Sequence, residues 1–227
     1  MKPSAKKIVH SITAFTLLDY PDQTACILWF AGCNMKCSYC YNPEIVFGKG
    51  NYSIPELLSF LEKRRGLLDA VVFSGGECLL YKESLELMVL IKAMGFLIKV
   101  DTNGSKPARL REAIAFGLID YVALDFKATR AKFKSITESR FYEQFLECLS
   151  ILQLSKTPFE VRTTIHSELL VEEDLKEMIQ VLKSKNYFGN YYLQPFRNGM
   201  ETLKKMNASQ NKAFTHLSTP TIWVQMR

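Results

Sequence analysis

The chain has 227 residues, of which 48% are hydrophobic and 23% charged, with a formal net charge of +6 at pH 7. It can therefore bury a full core, which suits a single α/β domain over residues 1–227. The N-terminal stretch MKPSAKKIVH lacks the apolar core of a signal peptide, and no apolar run is long enough to span a bilayer. We therefore expect a cytoplasmic protein. Because the basic residues are scattered rather than massed, we do not favour nucleic-acid binding.

Short β-rich runs alternate with helical periodicity from Thr24 to Phe196, which predicts successive βα units. The first strand is TACILWF, and the helix after the next loop begins at a capping-box pattern of Ser53 and Glu56. Five further strands are predicted: AVVFSGGE, FLIKVDTNG, DYVALDFKA, PFEVRTTIH and NYYLQPF. A last strand-like run, TIWVQMR, has no partner that the sequence assigns.

Polar or glycine-rich motifs follow all six strands at their carboxyl ends. In a barrel these ends face one mouth, whereas an open sheet would spread them along an edge. We therefore predict an α/β fold, a partial (β/α)6 TIM-type barrel, rather than an open doubly wound sheet. Its core covers about residues 24–198, and residues 199–227 form a C-terminal extension.

Three of the six cysteines, Cys33, Cys37 and Cys40, lie within eight residues in the stretch CNMKCSYCYN. Structural zinc sites usually pair two such knuckles, and the chain has no second CxxC or CxH pair. Three thiolates on one loop suit a four-iron four-sulfur cluster with one iron open to another ligand. A zinc site and three incidental cysteines are the alternatives. The other cysteines are isolated and are most simply buried apolar residues: Cys26, Cys78 and Cys148.

With an aromatic residue, Tyr39, before the last cysteine, this CxxxCxxC motif resembles the signature of the radical S-adenosylmethionine (SAM) enzymes. The resemblance implies a partial (β/α)6 barrel, a 4Fe-4S cluster on the three cysteines, and SAM bound to the open iron. In this family, an electron from the reduced cluster cleaves SAM to methionine and a 5'-deoxyadenosyl radical, which abstracts a hydrogen atom. The protein binds and orients this cofactor pair.

The motif SGGE ends the second predicted strand. Its two glycines allow close approach of the backbone to a ligand, and its carboxylate can receive an ammonium group. A GGE triplet alone is more often a turn, but this one follows a strand downstream of the cysteine motif. By resemblance to the family, Gly75, Gly76 and Glu77 hold the amino group of the methionine part of SAM.

The stretches DTNG and LDFK end the third and fourth predicted strands. Taken singly, they are an Asx-type turn and a surface ion pair. Together they resemble the strand-end motifs of the glycyl-radical-enzyme activating proteins, a branch of the radical SAM family. The resemblance implies that Asp101, Asp125 and Lys127 line the SAM site and that Asn103 is a further candidate. In that branch the two acids can also hold a monovalent cation.

Four further stretches resemble activases linked to anaerobic ribonucleotide reductase: DYPD, FAGCNMKCSYCYNPE, VRTT and LQPFR. The resemblance thus covers about residues 8–198. It implies that Arg162 contacts SAM or substrate, although a structural pair with an acid is an alternative. Arg197 stands where pyruvate formate-lyase activases carry a histidine, and Gln194 is a further candidate.

The sequence thus predicts an activase that makes a glycyl radical on a partner enzyme and receives electrons from a flavodoxin- or ferredoxin-type donor. Two departures, Tyr41 where histidine is frequent and Asp22 where glycine is usual, leave the target open. A radical SAM enzyme acting on a small molecule or nucleoside, of deazaguanine-forming or tRNA-modifying type, is the alternative. A non-catalytic iron-sulfur or zinc module is a third interpretation.

Overall fold

The computed structural model describes residues 4–210 and 212–227. Residues 1–3 of the basic N-terminal stretch and Asn211 of the predicted C-terminal extension lie outside the described residues. The chain forms two compact units. The first comprises residues 4–34, 42–102 and 108–122, and the second comprises residues 35–41, 103–107, 123–210 and 212–227.

The first unit contains a mixed sheet. Its strands are β1 (Lys7–Thr16), β2 (Ala25–Phe30), β3 (Tyr52–Ser53), β4 (Ala70–Gly75) and β5 (Leu97–Thr102). Their order is β3-β1-β2-β4-β5, in which β1 runs antiparallel to β2 and β3, while β2, β4 and β5 are parallel. Its helices are α1 (Pro43–Phe47), α2 (Ile54–Glu62), α3 (Glu83–Ala93) and α4 (Pro107–Ala115), of which Pro107 belongs to the second unit.

The sequence explains how α2 begins. The Glu56 carboxylate accepts hydrogen bonds from the Ser53 backbone N–H at 2.7 Å and from the Ser53 hydroxyl at 2.6 Å. These bonds hold the pKa of Glu56 below its usual value. The predicted capping box is therefore confirmed, and the first turn of the helix has its free N–H groups partly satisfied.

The second unit contains the carboxyl half of the chain. Strand β6 (Tyr121–Asp125) ends in it, and β7 (Phe159–Ile165), β8 (Gly189–Pro195) and β9 (Ile222–Met226) follow in the order β6-β7-β8-β9. Its helices are α5 (Arg130–Thr137), α6 (Tyr142–Leu154) and α7 (Glu172–Ser184). Helix α7 buries the apolar stripe expected for a helix that covers a sheet: Leu175, Met178, Ile179 and Leu182.

All six predicted strands of the βα units are confirmed, and the structure adds elements that were not predicted, among them β1, β3, α1 and α5. Strand β1 was not predicted, because apolar and polar residues do not alternate strictly in its sequence, KIVHSITAFT. Most of its residues are half-buried or exposed in the structure. Helix α5 was also missed, since it has only eight residues and is rich in basic and β-branched ones. The run TIWVQMR forms β9, which pairs in parallel with β8.

Within the described ranges, no helix combines the length and apolar character needed to cross a membrane. The longest helices, α6 and α7, have 13 residues each. This is well short of the roughly 20 residues that span a bilayer.

Candidate active site

In the second unit, the cysteine loop closes the end of helix α5. The Lys36 backbone N–H donates to the Thr137 carbonyl at 2.8 Å, and the Ser38 N–H donates to the Ile136 carbonyl at 3.1 Å. The last carbonyls of a helix have no partner within the helix, so the loop supplies the missing donors. The backbone around Cys37 is therefore held by a helix that was not predicted from the sequence.

The C-terminal extension holds the other side of this loop. The Leu203 N–H donates to the Cys40 carbonyl at 2.9 Å, and the Lys204 N–H donates to the Ser38 carbonyl at 3.1 Å. The backbone from Ser38 to Cys40 is thus bonded on one side to α5 and on the other to the extension. This pairing gives residues 203–204 a positioning role that the sequence did not reveal.

The interior of the loop is buried, but its side-chain hydrogen-bonding groups are not all paired. The Ser38 hydroxyl is buried without a hydrogen-bond partner, and the buried Tyr39 hydroxyl bonds the Cys37 sulfur rather than a nitrogen or oxygen. Buried polar atoms almost always have a hydrogen-bond partner, so an unpaired one in a native loop calls for an additional group. The sulfides of an iron-sulfur cluster accept hydrogen bonds, and the loop fits such a cluster.

The surroundings of Cys37 keep its thiol protonated until a metal binds. Burial raises the pKa of Cys37 to about 11, while the nearby Lys127 ammonium acts in the opposite direction. A buried thiol remains protonated at neutral pH, and metal binding displaces that proton. The positive charge of Lys127 favours the thiolate that a cluster requires.

In the first unit, the backbone before Cys33 packs tightly against the SGGE motif. The Gly76 N–H donates to the Phe30 carbonyl at 2.9 Å, and the Glu77 N–H donates to the Gly32 carbonyl at 3.0 Å. A Cβ atom on Gly76 would lie 1.9 Å from the Gly32 carbonyl oxygen. Gly75 has φ +106, and a Cβ there would lie 2.5 Å from the Phe30 nitrogen. Both glycines are therefore required by the approach of two backbone segments.

The Glu77 side chain is fully buried within the first unit. Its carboxylate accepts a hydrogen bond from the Thr102 hydroxyl, with oxygen distances of 2.9 and 3.1 Å, and another from the Leu79 N–H at 3.1 Å. Thr102, the last residue of β5, was not a candidate from the sequence. These contacts fix the Glu77 carboxylate, and its predicted contact with the SAM ammonium stays a prediction.

Asp101 is paired with a lysine from its own strand. The Lys99 ammonium lies 2.5 Å from one carboxylate oxygen of Asp101, and the Ser74 hydroxyl donates to the other at 3.0 Å. The side chains of Lys99 and Asp101 are only 3% and 9% exposed. Lys99 was missed, although residues i and i+2 of a strand share a face. The same spacing had singled out Asp125 and Lys127.

Asp125 lies between two cations in the second unit. The Arg162 Nε donates to one carboxylate oxygen at 2.5 Å, and the Lys127 ammonium donates to the other at 2.9 Å. Burial opposes ionisation of Asp125, but these two charges hold its pKa below its usual value. The three side chains are 15% to 19% exposed, so this is a partly buried triad rather than a surface pair.

Lys127 also faces the cysteine loop. Its ammonium lies 6.0 Å from the centroid of the Tyr39 ring. Burial disfavours the charged form of Lys127, yet the charge of Asp125 keeps its pKa well above the usual value. The second unit thus brings together the predicted residues Tyr39, Cys37, Asp125, Lys127 and Arg162.

The remaining candidates have other surroundings. Asn103 is buried, and its side-chain oxygen accepts from the Ser105 N–H at 3.0 Å, which forms the Asx turn considered for DTNG. Arg197 is exposed, and its backbone N–H donates to the Tyr41 hydroxyl at 2.7 Å. The Tyr41 ring stacks on Phe196 at 5.5 Å. The departure at Tyr41 therefore anchors the chain after β8.

The model of the Radical SAM superfamily matches residues 27–182. The chain belongs to the radical SAM superfamily. Family membership implies a 4Fe-4S cluster and SAM as cofactors, and the buried, incompletely satisfied cysteine loop fits that chemistry.

Relatives identify the branch of this radical SAM enzyme. A protein of Methanocaldococcus jannaschii named as a glycyl-radical enzyme activating enzyme is 30% identical over 208 residues, 88% of this chain and 86% of its own. The pyruvate formate-lyase-activating enzyme of Clostridium pasteurianum is 28% identical over 211 residues, with the same coverage. A 7-carboxy-7-deazaguanine synthase of Archaeoglobus fulgidus is 27% identical over 189 residues, 78% of each chain. The predicted activase branch is confirmed.

A solved structure confirms the fold class. The crystal structure of Streptococcus suis SuiB bound to S-adenosylmethionine aligns with a TM-score of 0.62 at 12% identity, over 78% of this chain and 41% of that chain. At such low identity the likeness shows the fold alone. The predicted α/β fold, of the partial TIM-type class of radical SAM enzymes, is confirmed.

Proposed function

We propose that this radical SAM enzyme generates a glycyl radical on a partner enzyme, an anaerobic ribonucleotide reductase-like subunit. The observation that carries the proposal is the 30% identity, over 88% of the chain, to a protein named as a glycyl-radical enzyme activating enzyme. The motifs DYPD, VRTT and LQPFR support the reductase as target.

We propose Cys33, Cys37 and Cys40 as the ligands of the cluster. When bound, a reduced 4Fe-4S cluster with one open iron supplies the electron that cleaves SAM. The chain holds the loop in place through α5 and the extension. Its Lys127 ammonium favours the thiolate form of Cys37.

The carboxylates at the strand ends orient SAM in this proposal. Asp125 is held by Lys127 and Arg162, so it keeps its negative charge in a partly buried position. Arg162 acts through Asp125 as a positioning residue. The other proposed SAM contacts are those of the family motifs: Tyr39, Gly75, Gly76, Glu77, Asp101, Asn103 and Arg197.

The contacts favour the protein's own cations over an added monovalent cation. The Lys99 ammonium already lies 2.5 Å from Asp101, and Asp125 has two cationic partners. A charged ammonium at this distance repels a metal cation from the same carboxylate. We therefore propose that SAM binding does not require a monovalent cation at Asp101.

The remaining parts of the proposal concern the enzyme's surroundings. We propose a flavodoxin- or ferredoxin-type electron donor and a cytoplasmic location, since a cluster with an exposed iron is readily oxidised and the cytosol keeps thiols reduced. We also propose a single radical SAM domain, with a core at residues 24–198 and a C-terminal extension at residues 199–227.

Anaerobic reconstitution tests the activase. Protein loaded with iron and sulfide is mixed with reductant, SAM and the glycyl radical enzyme of the same organism, and electron paramagnetic resonance detects the radical. We expect a glycyl radical signal with the partner and only slow formation of deoxyadenosine without it. The Cys37→Ala variant is the control and should give no signal. Efficient SAM cleavage with no glycyl radical on any such partner contradicts the proposal.

A second candidate is a deazaguanine-forming enzyme. It is favoured by the 27% identity over 78% of the chain to a 7-carboxy-7-deazaguanine synthase. Incubation of the loaded enzyme with SAM and the substrate of such a synthase, followed by mass spectrometry, decides between the two. Catalytic formation of the deazaguanine product would establish this candidate in place of the activase.

A further inference from the structure

Exposed basic residues lie on the loop that carries Cys37 and Cys40 and on the two segments bonded to it. They come from three segments of the second unit that are far apart in sequence: the loop itself, the end of α5, and the C-terminal extension. We call these residues the basic rim: Lys36, Lys134, Arg140, Lys204 and Lys205.

Backbone hydrogen bonds bring the three segments together. Lys36 is bonded through its N–H to Thr137 at the end of α5, and Lys204 is bonded through its N–H to Ser38 of the loop. The Lys204 ammonium also lies 2.5 Å from a carboxylate oxygen of Glu138, the residue that follows α5. The rim is therefore part of the structure that holds the cysteine loop.

The rim has an excess of positive charge. Two acidic residues, Glu138 and Glu201, lie on the same segments as its five basic residues, which leaves a formal excess of +3. Hydrogen bonding to Lys204 and the charge of Lys36 lower the pKa of Glu138. Glu138 is thus already engaged by the rim, and the remaining basic groups face solvent.

We propose that the basic rim is the docking surface for an acidic one-electron carrier protein that reduces the cluster. This inference rests on the proposed function and adds the point of electron entry. The carrier loses one electron and the cluster gains one, with no bond made or broken. The Cys40 and Ser38 carbonyls are bonded directly to the segment that carries Lys204. A carrier docked on the rim is therefore separated from the cysteine loop by little more than one layer of backbone.

Electrostatics makes the rim suitable for this partner. A cluster of like charge on one surface raises the association rate of an oppositely charged protein, and salt weakens the effect. Electron transfer needs only a brief encounter, so fast association matters more than a large interface. An acidic flavodoxin is a suitable probe.

Matched charge reversals test the rim. The variant Lys134→Glu/Lys205→Glu changes two rim residues and leaves the Lys204–Glu138 pair intact. The control Lys156→Glu/Lys183→Glu introduces the same change of charge at exposed positions of the same unit, away from the rim segments. A Gln version of the rim variant and circular dichroism show whether folding is retained.

Stopped-flow spectroscopy measures reduction of the cluster by reduced flavodoxin, without SAM or the glycyl radical enzyme. At low ionic strength, we expect the rim variant to be reduced about tenfold or more slowly than the wild type, and the control within about twofold. The difference should shrink at high salt. Titration of oxidised flavodoxin into protein without a cluster should show weaker binding by the rim variant alone. Equal reduction rates of the rim and control variants at low salt would overturn the proposal.

Further measurements distinguish a loss of docking from a loss of the cluster and from nucleic-acid binding. Photoreduced 5-deazaflavin, which needs no docking surface, should reduce wild type and both variants equally. Failure of all three proteins to incorporate iron would instead remove the proposed function. A transfer RNA titration is the last arm: RNA binding that the rim variant loses, with flavodoxin reduction unchanged, would assign the rim to nucleic acid and overturn the docking proposal.

Discussion

Two acid-base pairs with the same spacing occupy the ends of two strands, one in each unit. Lys99 and Asp101 form a pair on β5, and Asp125 and Lys127 form a pair at the end of β6. In the first pair the lysine precedes the acid, lies within the strand and is 3% exposed. In the second pair the lysine lies beyond the strand end and faces Tyr39 and Cys37.

The difference lies in where the lysine stands relative to the end of its strand, because this position determines which groups its ammonium can reach. Lys99 points its charge at Asp101 from inside the strand, so it neutralises a buried carboxylate. Lys127 shares Asp125 with Arg162, and its ammonium also acts on the cysteine loop. The first pair balances the charge of a buried carboxylate, whereas the second links a carboxylate to the proposed cluster ligands.

The largest effect is expected at Cys37, the proposed cluster ligand on which the charge of Lys127 acts. The variant Cys37→Ala removes a proposed cluster ligand, so SAM cleavage should fall more than about 100-fold and iron should be largely lost after reconstitution. Iron and sulfide analysis measures this. Cys148→Ala, at a buried cysteine of the same unit, should retain the cluster. Full iron content in Cys37→Ala would contradict the ligand assignment.

The variant Lys99→Met tests whether the first pair is structural. It leaves a buried carboxylate without its cation, which should cost about 3–5 kcal/mol of unfolding free energy. Denaturant unfolding measures the loss. If a sodium or potassium salt restores part of the stability and SAM affinity of this variant but leaves the wild type unchanged, Lys99 replaces a metal cation. A wild type that itself requires the salt would count against that conclusion.

The variant Gly76→Ala tests the backbone contact of the first unit. Its Cβ would lie 1.9 Å from the Gly32 carbonyl oxygen, so the backbone must shift, at a cost of about 3 kcal/mol. Gly66→Ala is the control: φ is +74 there and no atom lies near the added Cβ, so only about 1 kcal/mol is expected. Thermal unfolding of both variants measures the difference, and equal losses would show that the contact is unimportant.

The variant Lys127→Met tests whether the second pair acts on the loop. Without this cation the pKa of Cys37 rises further, so incorporation of iron should require a higher pH than in the wild type. SAM cleavage at neutral pH should fall about tenfold. Iron content after reconstitution over a pH series measures the shift. An unchanged pH profile, in a variant that still folds, would make this pair structural as well.

The smallest effect is expected at Tyr41. The variant Tyr41→Phe keeps the stacking on Phe196 but loses the hydrogen bond from the Arg197 N–H, worth about 1 kcal/mol. The Tm should fall by about 2–4 °C, as scanning calorimetry measures. SAM cleavage should remain close to that of the wild type. A large loss of activity would mean that Tyr41 contacts the target rather than the chain after β8.

Much of the candidate site was predictable because it depends on local patterns. The spacing of Cys33, Cys37 and Cys40 and the acids at strand ends are visible in short stretches. Lys99 had the same i, i+2 signal as Lys127 but was overlooked, because its motif begins only at Asp101. Thr102 had no such signal, since its hydroxyl finds Glu77 only through the pairing of β4 with β5.

By itself, the sequence determined which chemical groups this protein carries and the approximate positions of strands β2 and β4–β8, because ligand spacing and strand patterns are local properties. Only the tertiary structure decided that β9 pairs with β8 and that the cysteine loop closes α5. It also decided that basic residues scattered along the chain form one rim. These outcomes depend on hydrogen bonds between segments that are distant in sequence, such as the bond from Lys204 to Ser38. Such partners are not local in the sequence, because they come together only when the chain folds.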